Sequence, residues 1–286
     1  MADENPFHIS QWPGAIADPS GYDGGDRLRI ALDLGDASEA HKQHVIAQWC
    51  ARLPQLRSVR RLNLWSHVTQ DLFDAACTLD LECLQVKWSN VVDLGAIRHL
   101  GRLLYFYLGS STRVQSLEPL AVLPRLHTLH LENLKLVTDF TPLTALRSLR
   151  SLSVTGSMWT RQRLGSLQPF AQMTWLESLA LDTAHVDSVR PLAQLSGLRQ
   201  LDLGGRLPLS EYAWLAAHLP RTECRWFAPY LDLAPSGIGR CPRCQQDSRV
   251  MLTGKGGGVR CLHCDARRVS KHVAQFELLK AQATAA

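Results

Sequence analysis

One apolar pattern recurs seven times between Val59 and Leu203: two apolar residues three apart, then another after a single intervening position. The copies are Val59, Leu62, Leu64; Leu81, Leu84, Val86; Leu103, Phe106, Leu108; Leu126, Leu129, Leu131; Leu149, Leu152, Val154; Leu176, Leu179, Leu181; and Leu198, Leu201, Leu203. The middle members, at 62, 84, 106, 129, 152, 179 and 201, are spaced 22, 22, 23, 23, 27 and 22 residues apart. A period this short holds one strand and one return segment. No copy can bury its own leucines, so the copies must stack and line them into a continuous core. Residues alternating with the leucines then face the other way, onto the concave side of the stack.

A second mark recurs at a constant offset before the strands: Pro119-Leu120, Pro142-Leu143, Pro169-Phe170 and Pro191-Leu192, each with an apolar residue three further on (Leu123, Leu146, Met173, Leu195). That spacing suits a short helical or 3-10 turn on the back of each coil. Together the two marks resemble the leucine-rich repeat family, in the short form of internalin-like proteins, over about residues 56–230. The resemblance implies an α/β solenoid, with a parallel β-sheet on the concave face and short helical or 3-10 turns on the convex face. It also implies an Asn three residues past the last strand leucine; here His67, Ser89, Ser111, Leu134, Ser157, Ala184 and Arg206 stand there. The fifth copy is about five residues long, which predicts a projecting loop over Thr155–Gly165.

The flanks read differently. Residues 1–27 are rich in Pro, Gly and Asp and are expected to form an N-terminal arm pinned by Phe7 and Trp12. Alternation from Leu28 to Leu34, a capping box at Asp36 and Glu39, and helical spacing through Val45, Ile46, Trp49, Cys50 and Leu53 predict a strand-and-helix cap over 28–58. The repeats are assigned 59–230, with Ser210 capping a helix to Leu219 and Cys224-x-Trp226 as a closing strand. Residues 231–240 are expected to be a linker, and 241–286 a separate module with a C-terminal helix.

That module carries the strongest chemical signal. Cys241-Pro-Arg-Cys244 and Cys261-Leu-His-Cys264 are two Cys-x-x-Cys pairs separated by 16 residues. Zinc binds four thiolates tetrahedrally, and this gap lies in the range of zinc sites. The turn-rich Gly254–Gly258 between two short apolar segments resembles the zinc-ribbon family over 240–268, which implies one structural zinc ion per chain. Four protein ligands leave no open position, so the metal is expected to be structural. The remaining cysteines, Cys50, Cys77, Cys83 and Cys224, lie among apolar neighbours and read as small hydrophobes.

The 286 residues carry a net charge of +5, unevenly placed. Residues 1–26 hold five acids and no Lys or Arg, while residues 239–286 have nine bases and three acids. The start lacks a positive region and an apolar core, and no apolar run approaches a membrane span, so a cytoplasmic location with no membrane association is expected. No nucleophile elbow, phosphate loop, zincin or dinucleotide fingerprint occurs, so neither catalysis nor a small-molecule substrate is expected.

Among the concave positions, the first copies are aromatic and basic. The expected partner site is Arg61, Asn63, Trp65, Gln85, Lys87, Trp88, Tyr105, Tyr107, His130 and Glu132. Trp, Tyr and Arg dominate protein–protein hot spots, and Arg61 and Lys87 suggest an acidic, partly apolar partner. The reading is a non-enzymatic protein-binding scaffold, a class that includes bacterial effector, immunity and antitoxin proteins. The alternative is nucleic-acid binding through the basic ribbon, by Arg249, Lys255, Arg260, Arg267, Arg268 and Lys271.

Overall fold

The computed structural model describes residues 5–186 and 188–285; the first four residues of the expected arm, and residues 187 and 286, lie outside the described residues. The chain divides into two compact units, Met1–Gly165 and Ser166–Ala286.

In the first unit six parallel strands follow one another in chain order: β1 (Arg27–Ala31), β2 (Arg61–Val68), β3 (Cys83–Ser89), β4 (Tyr105–Gly109), β5 (Thr128–Glu132) and β6 (Ser151–Thr155). A near-constant period sets equivalent residues opposite each other. Leu62 pairs with Leu84, Leu84 with Phe106, Phe106 with Leu129 and Leu129 with Leu152. All five are buried, as are Leu64, Val86, Leu108, Leu131 and Val154. Each such side chain contributes roughly 1.5–3 kcal/mol when taken out of water. The geometry fits the leucine-rich repeat solenoid that the sequence resembles.

The returns on the back of the sheet are helix α2 (Gln70–Ala76) and 3-10 turns at Gly95–His99, Glu118–Val122 and Thr141–Ala145. Each 3-10 turn is entered through a side chain that the repeat analysis did not single out. Asp93, Ser116 and Asp139 each accept a hydrogen bond from the N–H two residues on, at 2.8, 3.2 and 2.8 Å. Small oxygen-bearing residues bend the backbone this way and redirect the chain into the turn.

Helix α1 (Glu39–Arg52) is capped by Ser38, whose hydroxyl accepts from His41 N, rather than by the expected Asp36 box. Where the resemblance implies Asn, two other devices stand. The Ser89 and Ser111 hydroxyls, both buried, bond each other at 2.6 Å. Further along, Gln162 from the long fifth-repeat loop lies 2 % exposed against Leu134: its Oε1 accepts from Leu134 N at 2.9 Å and its Nε2 donates to Leu134 O at 3.1 Å. A buried backbone group needs such a partner. The loop is therefore held down at Gln162 and at buried Leu164, while Met158 and Trp159 at its tip are exposed.

The second unit contains α3 (Gln168–Ala171), parallel strands β7 (Ser178–Leu181) and β8 (Gln200–Leu203), and α4 (Leu209–His218). Helix α4 has Pro208 at its N-cap position and no side-chain cap, so Ser210 does not play that role. The expected closing strand is reduced to one bridge, Gln200 with Glu223, because the chain turns immediately afterwards.

The expected linker is also corrected. Tyr230–Asp232 forms strand β9 and pairs antiparallel with β10 (Arg249–Leu252), which pairs in turn with β11 (Val259–Cys261). Tyr230 packs with Val250, Leu252, Val269 and Val273. Residues 230–232 are thus part of the second unit's small sheet, and Tyr230 is part of its core cluster. Helix α5 (Ala266–Ala285) packs on α4, and its Phe276 is fully buried. Gly254 brings the hairpin turn against the start of α4: its φ is +92° and an added Cβ would lie 3.0 Å from the Leu209 backbone. Lys255 N donates to Leu207 O at 2.8 Å. Among the described residues, no helix is long and apolar enough to cross a membrane.

Candidate functional site

The strand pairing aligns the concave residues of the first unit into rows. One row runs Arg29, Asn63, Gln85, Tyr107, His130; the next runs Ala31, Trp65, Lys87, Gly109, Glu132. Asn63 and Gln85 stand opposite, and the Asn63 amide donates to Gln85 Oε1 at 2.6 Å. Gly109 stands between Lys87 and Glu132, and its lack of a side chain lets the rows cross. A Cβ there would meet the Tyr107 ring at 2.7 Å. Through that gap Lys87 Nζ donates to Tyr107 Oη at 3.0 Å and to Glu132 Oε2 at 3.0 Å, and the Tyr107 hydroxyl donates to Glu132. Burial, then this bond to a carboxylate, hold the Tyr107 phenol well above its ordinary pKa.

Around the ammonium stand three rings: Trp65, Trp88 and Tyr107, each with its centroid 5.6 Å from Lys87 Nζ. That is within cation–π range. Trp65 and Trp88 meet edge-on at 4.8 Å. Trp88 is 48 % exposed and has φ +58°. The same left-handed turn recurs where neighbouring strands end, at Ser110 (φ +50°) and Asn133 (φ +56°). Small or amide residues take that conformation with modest strain, whereas a bulky ring there is an outlier.

The ten expected partner-site residues do lie on this face, but their exposure differs from the expectation. Asn63, Gln85 and Tyr107 are buried; Arg61, Trp65, Lys87, Tyr105, His130 and Glu132 are half-buried; Trp88 alone of the ten is exposed. Two causes account for this. Lys87 is neutralised by Glu132, so the open positive charge of these two rows comes from Arg29, with Arg27 and Arg61 in the row beside them. And the N-terminal arm lies across the face. The Phe7 ring sits 4.9 Å from the His130 imidazole and 5.7 Å from the Tyr107 ring. Arg27 donates to Gln11 O at 2.9 Å. Ile16 bridges to Ile30 beyond β1, and Trp49 Nε1 donates to Ala17 O at 2.6 Å. Burial of His130 pulls its pKa down to about 4, so it presents a neutral ring. Arm and rows enclose a concavity of about 270 Å³. Phe7 and Trp12 were expected to pin the arm; both are half-buried and line this concavity, Phe7 against Tyr107 and His130.

The second candidate site is a metal centre. The sulfurs of Cys241, Cys244, Cys261 and Cys264 all lie within 4.8 Å of one another. Cys244 and Cys261 are 3.6 Å apart, and Cys241 and Cys264 4.0 Å. Tetrahedral Zn–S bonds of about 2.3 Å require sulfur pairs roughly 3.8 Å apart, so the cluster has the right size. The surroundings favour thiolates. The Cys264 N–H points at Cys261 Sγ at 3.3 Å and the Ser248 hydroxyl lies 3.1 Å from it, which together bring the Cys261 pKa to about 6. The N–H groups of Cys244 and Arg243 likewise lower Cys241. Desolvation, then the three neighbouring sulfurs, push Cys264 the other way, to about 12. Four thiolates this close repel unless a cation sits among them. Asp265 braces the second knuckle, accepting from Cys261 N at 3.0 Å and pairing with Arg243 at 2.6 Å. Outside the cluster, burial raises the Cys83 thiol to about 12 and the Cys224 thiol to about 11, as suits unreactive hydrophobes.

The six basic residues weighed for nucleic acid are not gathered on one surface. Arg249 stands opposite Cys261 in the hairpin and Arg260 opposite Val250, so the two project from opposite faces. Arg249 donates to Ile238 O and Arg260 to Val259 O. Lys255 is in the turn against α4, and Arg267, Arg268 and Lys271 line a shallow depression at the start of α5.

No family profile matches the chain, and no curated protein matches it. Among solved structures it is similar to internalin C2 of Listeria monocytogenes (21% identity, TM-score 0.40, covering 54% of this chain and 76% of that one). It is also similar to a second internalin of Listeria monocytogenes (19%, TM-score 0.42, covering 60% and 54%). A leucine-rich repeat protein of Leptospira interrogans is a third (18%, TM-score 0.42, covering 60% and 50%). This chain thus spans about half the length of the latter two. At these identities and scores the likeness says nothing of what the chain binds.

Proposed function

We propose that this chain is a non-enzymatic scaffold that captures a protein partner on the concave face of its first unit and the rim where the strands end. One zinc ion per chain, held by Cys241, Cys244, Cys261 and Cys264, would hold the ribbon together structurally. A thiolate site of this kind belongs in a reducing compartment, which fits a cytoplasmic location. The observation that carries the reading is Trp88. It is a large ring, half exposed, held in a left-handed turn and stacked edge-on to Trp65 beside Lys87. Nothing in the packing of the leucine core requires a Trp there. Strained backbone kept at an exposed aromatic residue is characteristic of a binding element. Met158 and Trp159, 85% and 90% exposed, lie past the end of β6 on the same strand-exit side, three strands away or roughly 14 Å. They supply a second apolar anchor.

Trp88→Asn separates binding from folding. Asn tolerates the left-handed turn, so stability is expected to stay level or rise by about 0.5–1 kcal/mol in urea melts. Capture of the partner from a host lysate is expected to fall at least tenfold. Undiminished capture by this variant and by Trp159→Ala would remove the reading.

A further inference from the structure

The N-terminal arm covers the rows on which the proposed partner would sit, and it fits them imperfectly. Residues 5–12 are held largely by themselves: His8 N donates to Asn5 O, Gln11 N to His8 O and Trp12 N to Ile9 O. Among the described residues their contacts with the sheet include Phe7 against Tyr107 and His130, and the bond from Arg27 to Gln11 O. Firm anchoring begins only at Ile16 and Ala17. Ile9 stays 63% exposed, so the arm leaves one apolar side unburied. In the same concavity, among the described residues, Asn63 Oδ1 and Arg29 Nε on the sheet and Trp12 Nε1 on the arm itself have no hydrogen-bond partner. Asn63 is only 3% exposed, so its open acceptor faces the concavity and not bulk solvent.

We propose that these rows form a binding site for a short, turn-forming peptide segment with an aromatic anchor, and that residues 5–12 of this chain are its resident, displaceable occupant. This rests on the concave face being the partner surface, and it names the partner's chemistry. The anchor ring takes the place of Phe7 between Tyr107 and neutral His130. A donor on the segment meets Asn63 Oδ1, and an acceptor or carboxylate meets Arg29. Residues 5–12 carry no acidic side chain, so the resident segment itself supplies no countercharge to Arg29, which an acidic competitor would. The resident competes from a tether, at an effective concentration that is roughly millimolar for a short flexible link. Only a segment of matching chemistry and better fit displaces it.

The probe is a synthetic peptide of residues 1–14, fluorescently labelled at its C-terminus, read by anisotropy. A chain beginning at Pro13, which keeps the Ile16 and Ala17 anchors, is expected to bind it saturably. The full chain is expected to bind at least tenfold more weakly, and a Phe7→Ala peptide at least tenfold more weakly to the shortened chain. If the shortened chain folds poorly, the full-length Phe7→Ala variant serves instead, and it should bind the unaltered peptide more tightly than the parent does. Equal binding by the full and shortened chains, or none by the shortened chain and the Phe7→Ala variant, overturns the proposal. The Trp88→Asn capture assay distinguishes the two readings. Peptide binding without Trp88-dependent capture leaves the arm proposal standing and removes the scaffold. Trp88-dependent capture without peptide binding does the reverse.

Discussion

The repeats of the first unit and the ribbon of the second keep their shape by different means. The repeats bury a ladder of apolar residues from strand to strand, and every strand added extends the same core. The ribbon has three short strands and a core cluster of Val250, Leu252 and Val269 with Tyr230 and Val273 beside it. A core that small does not hold a fold by burial alone. It packs on α4, Leu207 and Leu209 at one end, and on the proposed reading a metal ion among the four sulfurs would brace the other. A periodic core can be read one copy at a time. A small module has to be read together with whatever it leans on.

The comparison breaks most visibly if the metal is removed. Structural zinc contributes roughly 10–16 kcal/mol of apparent binding energy in small domains. Stripping it with a chelator, or Cys244→Ser with Cys261→Ser, is expected to unfold the ribbon. Because α5 packs on α4, hydrogen exchange should rise in α4 as well, while β1–β6 stay protected. Elemental analysis should find one zinc per chain. Fast exchange confined to residues 240–265 would mean the ribbon does not lean on α4.

In the repeats the comparable injury is a cavity. Phe106 is fully buried between Leu84 and Leu129 on neighbouring strands, and Phe106→Ala is expected to cost about 3–5 kcal/mol in denaturant melts. The ribbon's zinc content should be unchanged.

Acid probes the concave rows. The His130 pKa is lowered from 6.5 to about 4 in the folded chain, so the unfolded chain binds more protons between those values. Stability therefore rises with pH, is complete above about 6.5, and is lost as pH falls toward about 4, by up to about 3 kcal/mol. Melts of His130→Gln against the parent over this window should show the slope reduced by about one proton.

Gly109→Ala is the smallest change. The added methyl meets the Tyr107 ring, so the Tyr107, Lys87 and Glu132 contacts must part, at about 1–3 kcal/mol. A neutral outcome would show that the ring can move aside and that the crossing of the rows is soft.

Much of the repeat architecture was legible from residue type and spacing. The leucine registers, the concave alternation and the four-cysteine cluster follow from a fixed period and a fixed ligand gap, both of which are local quantities. Missed from the same rows were the oxygen-bearing residues at Asp93, Ser116 and Asp139. For Ser116 and Asp139 the recurrence was visible once the Pro-Leu pairs were aligned, since each lies three residues ahead of its Pro; Asp93 precedes a turn that no such pair marks.

What spacing could not supply were the contacts between residues without a common period. Gln162 stands in for the missing Asn by reaching back 28 positions to Leu134. Lys87 finds Glu132 across the gap left by Gly109, and so loses the charge that a list of exposed basic residues assigned to it. The arm's Phe7 reaches Tyr107 and His130, 100 and 123 positions further along the chain. Periodicity encodes which face a residue takes, because the strand alternates at every second position. It does not encode which distant side chain arrives on that face, because that depends on the volume left over once the leucines have packed.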